Sequence, residues 1–257
     1  MTPSDRFRAR VARLPPRPGT VRAQRGAVAE IVLDAPDRRN ALSAQMMIEL
    51  HDAAVQVSGA SVLLLRGEGD AFCAGGDLFA IRAHLTAPGV GVELQDFMAA
   101  TLSAIENAAP VVVAAVTGPA LGGGAELLSC CHTVFASPAA SVGWVQARLG
   151  LSPGFGGGER LVRRLGRARA LRLLLEARVL QAEEARHAGL VDEIVDDPVG
   201  AARAWGAAVA ALPREVVAAA VALAHEGAEA ERTAFAKLWG GPAHLAALDQ
   251  SRAGRRP

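Results

Sequence analysis

Through the first two-thirds of the chain, short continuous apolar runs alternate with longer segments of helical period. Apolar stretches over 20–23 and 28–33 are split by Arg25-Gly26, the pattern of a β-hairpin, and Asp34-Ala35-Pro36 ends it. Ser43 stands just before a segment in which Met46, Met47, Leu50 and Ala54 share one helical face, so it reads as a helix cap. Val62-Leu63-Leu64-Leu65 and the run over 111–116, opened by Pro110, have the length and apolarity of buried strands. A helix is predicted between them over 92–109. Each of these buried strands runs into a glycine-rich loop, over 67–77 and 118–124. Strand, glycine loop and helix in repetition make an α/β pattern. In such sheets ligands gather at the strand ends, where these loops lie.

Beyond Gly166 the pattern turns to Ala, Leu and Arg with helical period. It predicts helices over 167–177, 181–188, 198–211, 213–225 and 228–238, with one short strand over 189–195. The chain therefore divides into three parts. Residues 1–18 are basic, close on Pro15-Pro16-Arg17-Pro18-Gly19 and read as an irregular, solvated lead-in. Residues 19–197 form an α/β core, and 198–257 a helical region suited to oligomerisation or to covering a site.

Composition narrows the class. At ~150 residues per domain, 257 residues make one large domain, or one domain with an appendage. An apolar share of 51% supports a large core. A net charge of +1 gives no reason to expect nucleic acid or an acidic partner. The basic side chains are almost all arginine, Lys237 being the only lysine. The cysteines, Cys73, Cys130 and Cys131, have no CxxC spacing, which argues against a disulfide framework or a zinc site and for a reducing, cytoplasmic setting. No apolar run has the length and freedom from charge of a membrane span. Arg6, Arg8, Arg10 and Arg13 are not followed by the apolar region of a secretory signal.

Three segments carry candidate chemistry. They are Ala71-Phe72-Cys73-Ala74-Gly75-Gly76-Asp77, Gly118-Pro119-Ala120-Leu121-Gly122-Gly123-Gly124-Ala125-Glu126, and the stretch from Arg148-Leu149-Gly150-Leu151-Ser152-Pro153-Gly154-Phe155 to Gly156-Gly157-Gly158-Glu159-Arg160-Leu161. None ends in Gly-Lys-Ser/Thr, so a Walker nucleotide loop is excluded, and the dinucleotide glycine spacing is absent. A single such loop is more often a place where a helix packs close to a strand. The three loops in this order resemble the crotonase (enoyl-CoA hydratase/isomerase) superfamily. Asp37-Arg38-Arg39-Asn40-Ala41-Leu42-Ser43 and the Ala182 to Val195 segment, with its Gly189-Leu190-Val191-Asp192, support the resemblance, which runs from about residue 20 onward.

The resemblance implies an α/β fold of the crotonase (ClpP-like) type, a spiral of stacked β-sheets with helices around it and a helical C-terminal region. It implies an acyl-coenzyme A thioester as substrate, no separate cofactor or metal, and a homotrimer or hexamer. The N–H groups of Gly76 and Gly123 would form an oxyanion hole for the thioester oxygen, and Glu126 would be the first catalytic glutamate. Coenzyme A would lie against Phe72, Ala74 and Asp77 and against Arg38, Arg39 and Ala41. For Arg38 and Arg39, phosphate contact and a solvated turn weigh equally.

This sequence departs from the hydratase pattern at Gln146, where the family's second glutamate would stand. A glutamine amide orients a water but does not take its proton. Glu159 does not match that glutamate and reads as helix N-terminal charge, and His132 reads as a structural histidine. Trp239-Gly240-Gly241-Pro242-Ala243-His244-Leu245, with the third motif, looks like the ethylmalonyl-CoA decarboxylase branch of the superfamily. Trp239 then borders the acyl pocket, or is a core or subunit-contact aromatic. Three readings stand: decarboxylation of a 2-alkylmalonyl-CoA, with Glu126 or water as proton donor; hydration or isomerisation of an enoyl-CoA with Glu126 alone; and a non-catalytic acyl-CoA-binding protein.

Overall fold

A computed structural model describes residues 2–253. The first half of the chain runs α1 (Pro3–Val11), β1 (Thr20–Gln24), β2 (Val28–Asp34), α2 (Ala44–Gln56), β3 (Val62–Gly67), α3 (Leu78–His84), α4 (Val90–Ala108) and β4 (Val111–Val116). The middle adds β5 (Pro119–Leu121), α5 (Gly123–Leu128), β6 (Thr133–Ala136), β7 (Ser141–Gly143), α6 (Gly157–Leu165), α7 (Arg167–Glu176), β8 (Val179–Gln181), α8 (Ala182–His187) and β9 (Glu193–Ile194). Four helices follow: α9 (Pro198–Ala210), α10 (Arg214–Glu226), α11 (Ala228–Leu238) and α12 (Pro242–Ala253).

The main sheet has the order β1-β2-β3-β4-β6-β9, and the second sheet the order β5-β7-β8. In the main sheet only the β1–β2 hairpin is antiparallel. Parallel strands are covered on both faces, which is why β4 and residues 62–65 of β3 read as unbroken apolar runs. Their side chains alternate between two cores. Leu63, Leu65, Val112 and Ala114 point toward α2 and α4, where Met46, Leu50, Phe97 and Leu102 are fully buried. Val62, Leu64, Val111 and Val113 point the other way and meet Ala202 and Trp205 of α9. The first helix of the region expected to begin at 198 thus completes the core.

The expected irregular lead-in is instead a helix over Pro3–Val11. The Thr2 hydroxyl accepts from Asp5 N at 3.1 Å while the Asp5 carboxylate accepts from Thr2 N at 2.8 Å, a reciprocal cap that satisfies two otherwise unpaired amides. Phe7 is fully buried and stacks on Phe97 of α4 at 4.7 Å between ring centres. Arg8 pairs with Asp52 of α2, and Arg10 pairs with Glu93 of α4 at 3.0 Å. The missed signal is the spacing of Phe7, Val11 and Leu14, one helical face hidden among arginines and prolines.

Among the described residues no single helix is long and apolar enough to cross a membrane; α9 and α10 together meet the composition but are bent by 112°.

Candidate active site

The site is built where the loops after β3 and β4 meet. Asn40 ties the first of them down. It is fully buried in a left-handed conformation with φ 55°, its Oδ1 accepts from Ala35 N at 2.9 Å, and its Nδ2 donates to Glu68 O at 2.9 Å and Ala71 O at 2.8 Å. Three further bonds align the 39–42 segment with the 74–77 loop: Ala74 N to Arg39 O (2.9 Å), Leu42 N to Gly75 O (2.7 Å) and Asp77 N to Leu42 O (2.9 Å). That parallel bridge leaves the N–H of Gly76 facing away from Leu42.

A second bridge joins Cys73 to Ala120 through Cys73 N to Pro119 O (3.0 Å) and Leu121 N to Cys73 O (2.9 Å). Gly122 N then donates to Gly143 O at 2.8 Å, and Gly123 opens α5 with the first unpaired amide of that helix. Neither the Gly76 nor the Gly123 N–H donates to a backbone carbonyl among the described residues. The two loops are adjacent, since a Cβ placed on Gly75 would lie 3.2 Å from Gly123 N. Gly123 has to be glycine: a Cβ there would enter the Phe155 ring.

All six residues of α5 are buried, including Glu126 at 1% exposure. Its carboxylate accepts four hydrogen bonds: Gln146 Nε2 (2.9 Å) and Gly154 N (3.0 Å) on Oε1, Phe155 N (2.8 Å) and Gly157 N (3.0 Å) on Oε2. Burial pushes the Glu126 carboxyl above the usual carboxylate range, and these donors pull against it. Gly157 packs on the Glu126 stem so closely that a Cβ would lie 2.6 Å from Glu126 Cβ. Gln146, in a 3-10 turn over Gln146–Leu149, is 8% exposed, and its Oε1 is buried with no partner among the described residues. Cys73 lies beside these loops, but burial pushes its thiol up to about 12, so it supplies no thiolate at neutral pH.

Glu126 and Gln146 are therefore brought together, with Gly76 and Gly123 close by. Arg38, Arg39 and Ala41 lie alongside Ala74. Of the two arginines, Arg39 is exposed, while Arg38 is half-buried and donates to Pro18 O. Two of the expected contact residues have buried side chains. The Phe72 ring has 0% exposure, sealed in the core, so only its backbone borders the loop. Asp77 is 4% exposed and engaged: it accepts from Arg17 NH2 at 2.7 Å and from Phe79 N at 3.1 Å, which fastens the Gly76 loop to the N-terminal segment and the start of α3. Trp239 is not brought to Glu126 within the chain. It is 66% exposed and lines a separate cavity of about 630 Å³ with Phe235, Val216 and Pro242.

Glu159 lies in the first turn of α6, and His132 Nδ1 accepts from Val112 N at 3.0 Å. The sequence reading missed the amide donors of Gly154, Phe155 and Gly157. The third motif contained all three, but their partner lies up to 31 residues away.

Comparison with known proteins gives the family and the fold. The family model for enoyl-CoA hydratase/isomerase matches residues 23–239. The ethylmalonyl-CoA decarboxylase of Danio rerio is 34% identical over 235 residues, covering 84% of this chain and 77% of that one. A probable enoyl-CoA hydratase of Rhizobium meliloti (strain 1021) is 35% identical over 228 residues, covering 83% of this chain and 87% of that one. The crystal structure of an enoyl-CoA hydratase from Bacillus anthracis superposes with a TM-score of 0.81 at 29% identity, covering 92% and 97% of the two chains. The chain belongs to the enoyl-CoA hydratase/isomerase family, and is an acyl-CoA enzyme of the crotonase fold.

Proposed function

We propose that the protein decarboxylates a 2-alkylmalonyl-CoA. The observation that carries this reading is that the side chain hydrogen-bonded to Glu126 is the amide of Gln146 and not a second carboxylate. Hydration by paired acid and base groups needs two titratable partners at the reacting carbons. Decarboxylation needs one device, a place for negative charge on the thioester oxygen. The free N–H groups of Gly76 and Gly123 supply it, and losing one such donor typically costs about 3 kcal/mol of barrier.

In this reading the thioester oxygen accepts from both amides. The substrate carboxylate is held out of water, perpendicular to the thioester plane. The bond between the α-carbon and the carboxylate breaks, its electron pair passes into the thioester, CO2 leaves, and the enolate oxygen rests between the two amides. Proton return to the α-carbon gives the acyl-CoA. The chemistry requires no metal or redox group. Similarity to ethylmalonyl-CoA decarboxylases supports the choice of a branched malonyl thioester.

Hydration or isomerisation of an enoyl-CoA is the second reading. It is favoured by the relative from Rhizobium meliloti and by the solved hydratases that share the fold. A panel of acyl-CoA thioesters followed by mass spectrometry separates the two. The expected result is loss of CO2 from ethylmalonyl- or methylmalonyl-CoA and poor hydration of crotonyl-CoA. Gln146→Glu is expected to damage decarboxylation, because a new carboxylate would repel that of the substrate in a dry pocket. Fast hydration by the wild type with no CO2 from any malonyl thioester would defeat the assignment.

A further inference from the structure

We infer that Glu126 is a positioning residue, the ionised clamp of the 153–157 loop, and that the proton which quenches the enolate comes from water. The inference rests on the decarboxylase reading for the identity of the enolate, and on the geometry of Glu126 for everything else.

An ionised carboxylate has about four lone-pair sites. At Glu126 all four are taken, by Gln146 Nε2 and Gly154 N on one oxygen and by Phe155 N and Gly157 N on the other. A protonated carboxyl would present an O–H where one of these N–H groups already points. At least one of the four bonds would break and its donor would have to move. The stem has little freedom to move away, because Gly157 packs directly on Glu126 Cβ.

The clamp acts on the site through Phe155. Its amide is held by Glu126, and its ring lies against Gly123, one of the two amides offered to the thioester oxygen. Gln146 shares the division of labour. Its Nε2 is spent on Glu126, while its Oε1 is a buried acceptor with no partner among the described residues. An amide oxygen holds a water by accepting one of its O–H bonds and leaves the other to be donated. The step balances: the enolate takes H⁺ from H2O at the α-carbon, the thioester C=O re-forms, and the hydroxide left behind combines with the released CO2 as bicarbonate.

The two roles for Glu126 predict opposite pH limbs. A clamp must be ionised, so turnover falls as pH drops. A general acid must be protonated, so turnover falls as pH rises. The test is kcat and kcat/KM for CO2 release from ethylmalonyl-CoA between about pH 5 and about pH 9. The expected profile is flat on the alkaline side and falls about tenfold per pH unit on the acid side. Burial sets that acid limb above the ordinary glutamate range. An alkaline limb that disappears in Glu126→Gln would overturn the inference while leaving the decarboxylase reading intact.

Hydrogen exchange at the amides of Gly154, Phe155 and Gly157 gives a second readout that needs no turnover. Glutamine accepts at only one of its two terminal atoms, so Glu126→Gln should speed exchange at those amides about tenfold or more. Unchanged protection would overturn the clamp. If no malonyl thioester loses CO2, the decarboxylase reading fails, and the exchange measurement still decides the role of Glu126.

Discussion

At the scale of single residues, the site depends on what a glycine leaves out. The Phe155 ring occupies the space a side chain at Gly123 would need, while the Gly123 amide, the first of α5, stays unpaired. Gly123→Ala is therefore expected to fold but to displace Phe155 and turn the amide, lowering kcat about 100-fold or more in an acyl-CoA assay. Retention of wild-type turnover would remove Gly123 from the oxyanion site. The glycines and Glu126 were legible in the sequence because each stands in a dense local motif. The occupancy of the Glu126 carboxylate was not, because it depends on three amides in a different loop and motifs record neighbours along the chain only. Asn40 shows the same limit. It was legible only as a member of the 37–43 motif, and its bonds to Glu68 O and Ala71 O join segments about thirty residues apart.

At the scale of elements, the strands announced themselves. β4 and the first four residues of β3 are apolar because both their faces are covered, and few other arrangements produce such runs. Helix α1 was hidden, since its charge and flanking prolines imitate a solvated tail while its buried face holds few residues. Phe7 is the anchor of that face. Phe7→Ala should cost about 3 kcal/mol, measured by urea unfolding, and should open the arginines of α1 to tryptic cleavage under native conditions. If stability and cleavage are unchanged, α1 is not docked in solution. The Arg17–Asp77 pair then has a use, because the element that α1 begins also steadies the loop bearing Gly76.

At the scale of the molecule, the main sheet and the C-terminal helices are joined by charge as well as by apolar packing. Glu30 of β2 is 8% exposed and accepts from Arg203 of α9 at 2.5 and 2.9 Å and from Arg66 of β3 at 3.2 Å. The Arg203 hydrogen bond, and then Arg66, hold its carboxyl below the usual range against burial. A depressed carboxyl stabilises the fold above the ordinary glutamate pKa, and that contribution is lost as pH falls through the folded value. Glu30→Gln should lower the thermal midpoint by a few degrees, about 1 kcal/mol, at neutral pH. The gap to wild type should close as pH falls below the ordinary glutamate range and through the depressed folded value. A gap independent of pH would mean that packing, not charge, makes the joint.

Farther along, α11 carries Phe235 at 63% exposure and is followed by Trp239 at 66%, with the two rings 5.3 Å apart. The expected assembly is a trimer, or a pair of trimers, formed through this face. Phe235→Ser with Trp239→Ser should yield a monomer by light scattering at micromolar concentration, and an unchanged mass would move the interface elsewhere. Patterning gave these helices their existence and period. It did not say which of their faces stays bare, because that depends on a neighbour the chain does not encode locally.

The clamp on Glu126 also has a consequence for how the chain is born. As it emerges from the ribosome, α5 precedes the last of the amides that neutralise its carboxylate by 31 residues. A buried carboxylate without donors is costly, so α5 is not fully held in the core in its ionised form until residue 157 is available. The crevice between the two glycine loops then consolidates only after both α5 and the third motif have emerged. A nascent chain stopped just before that point would expose the apolar side of α5, Leu127 and Leu128, to whatever holds unfinished proteins in the cell.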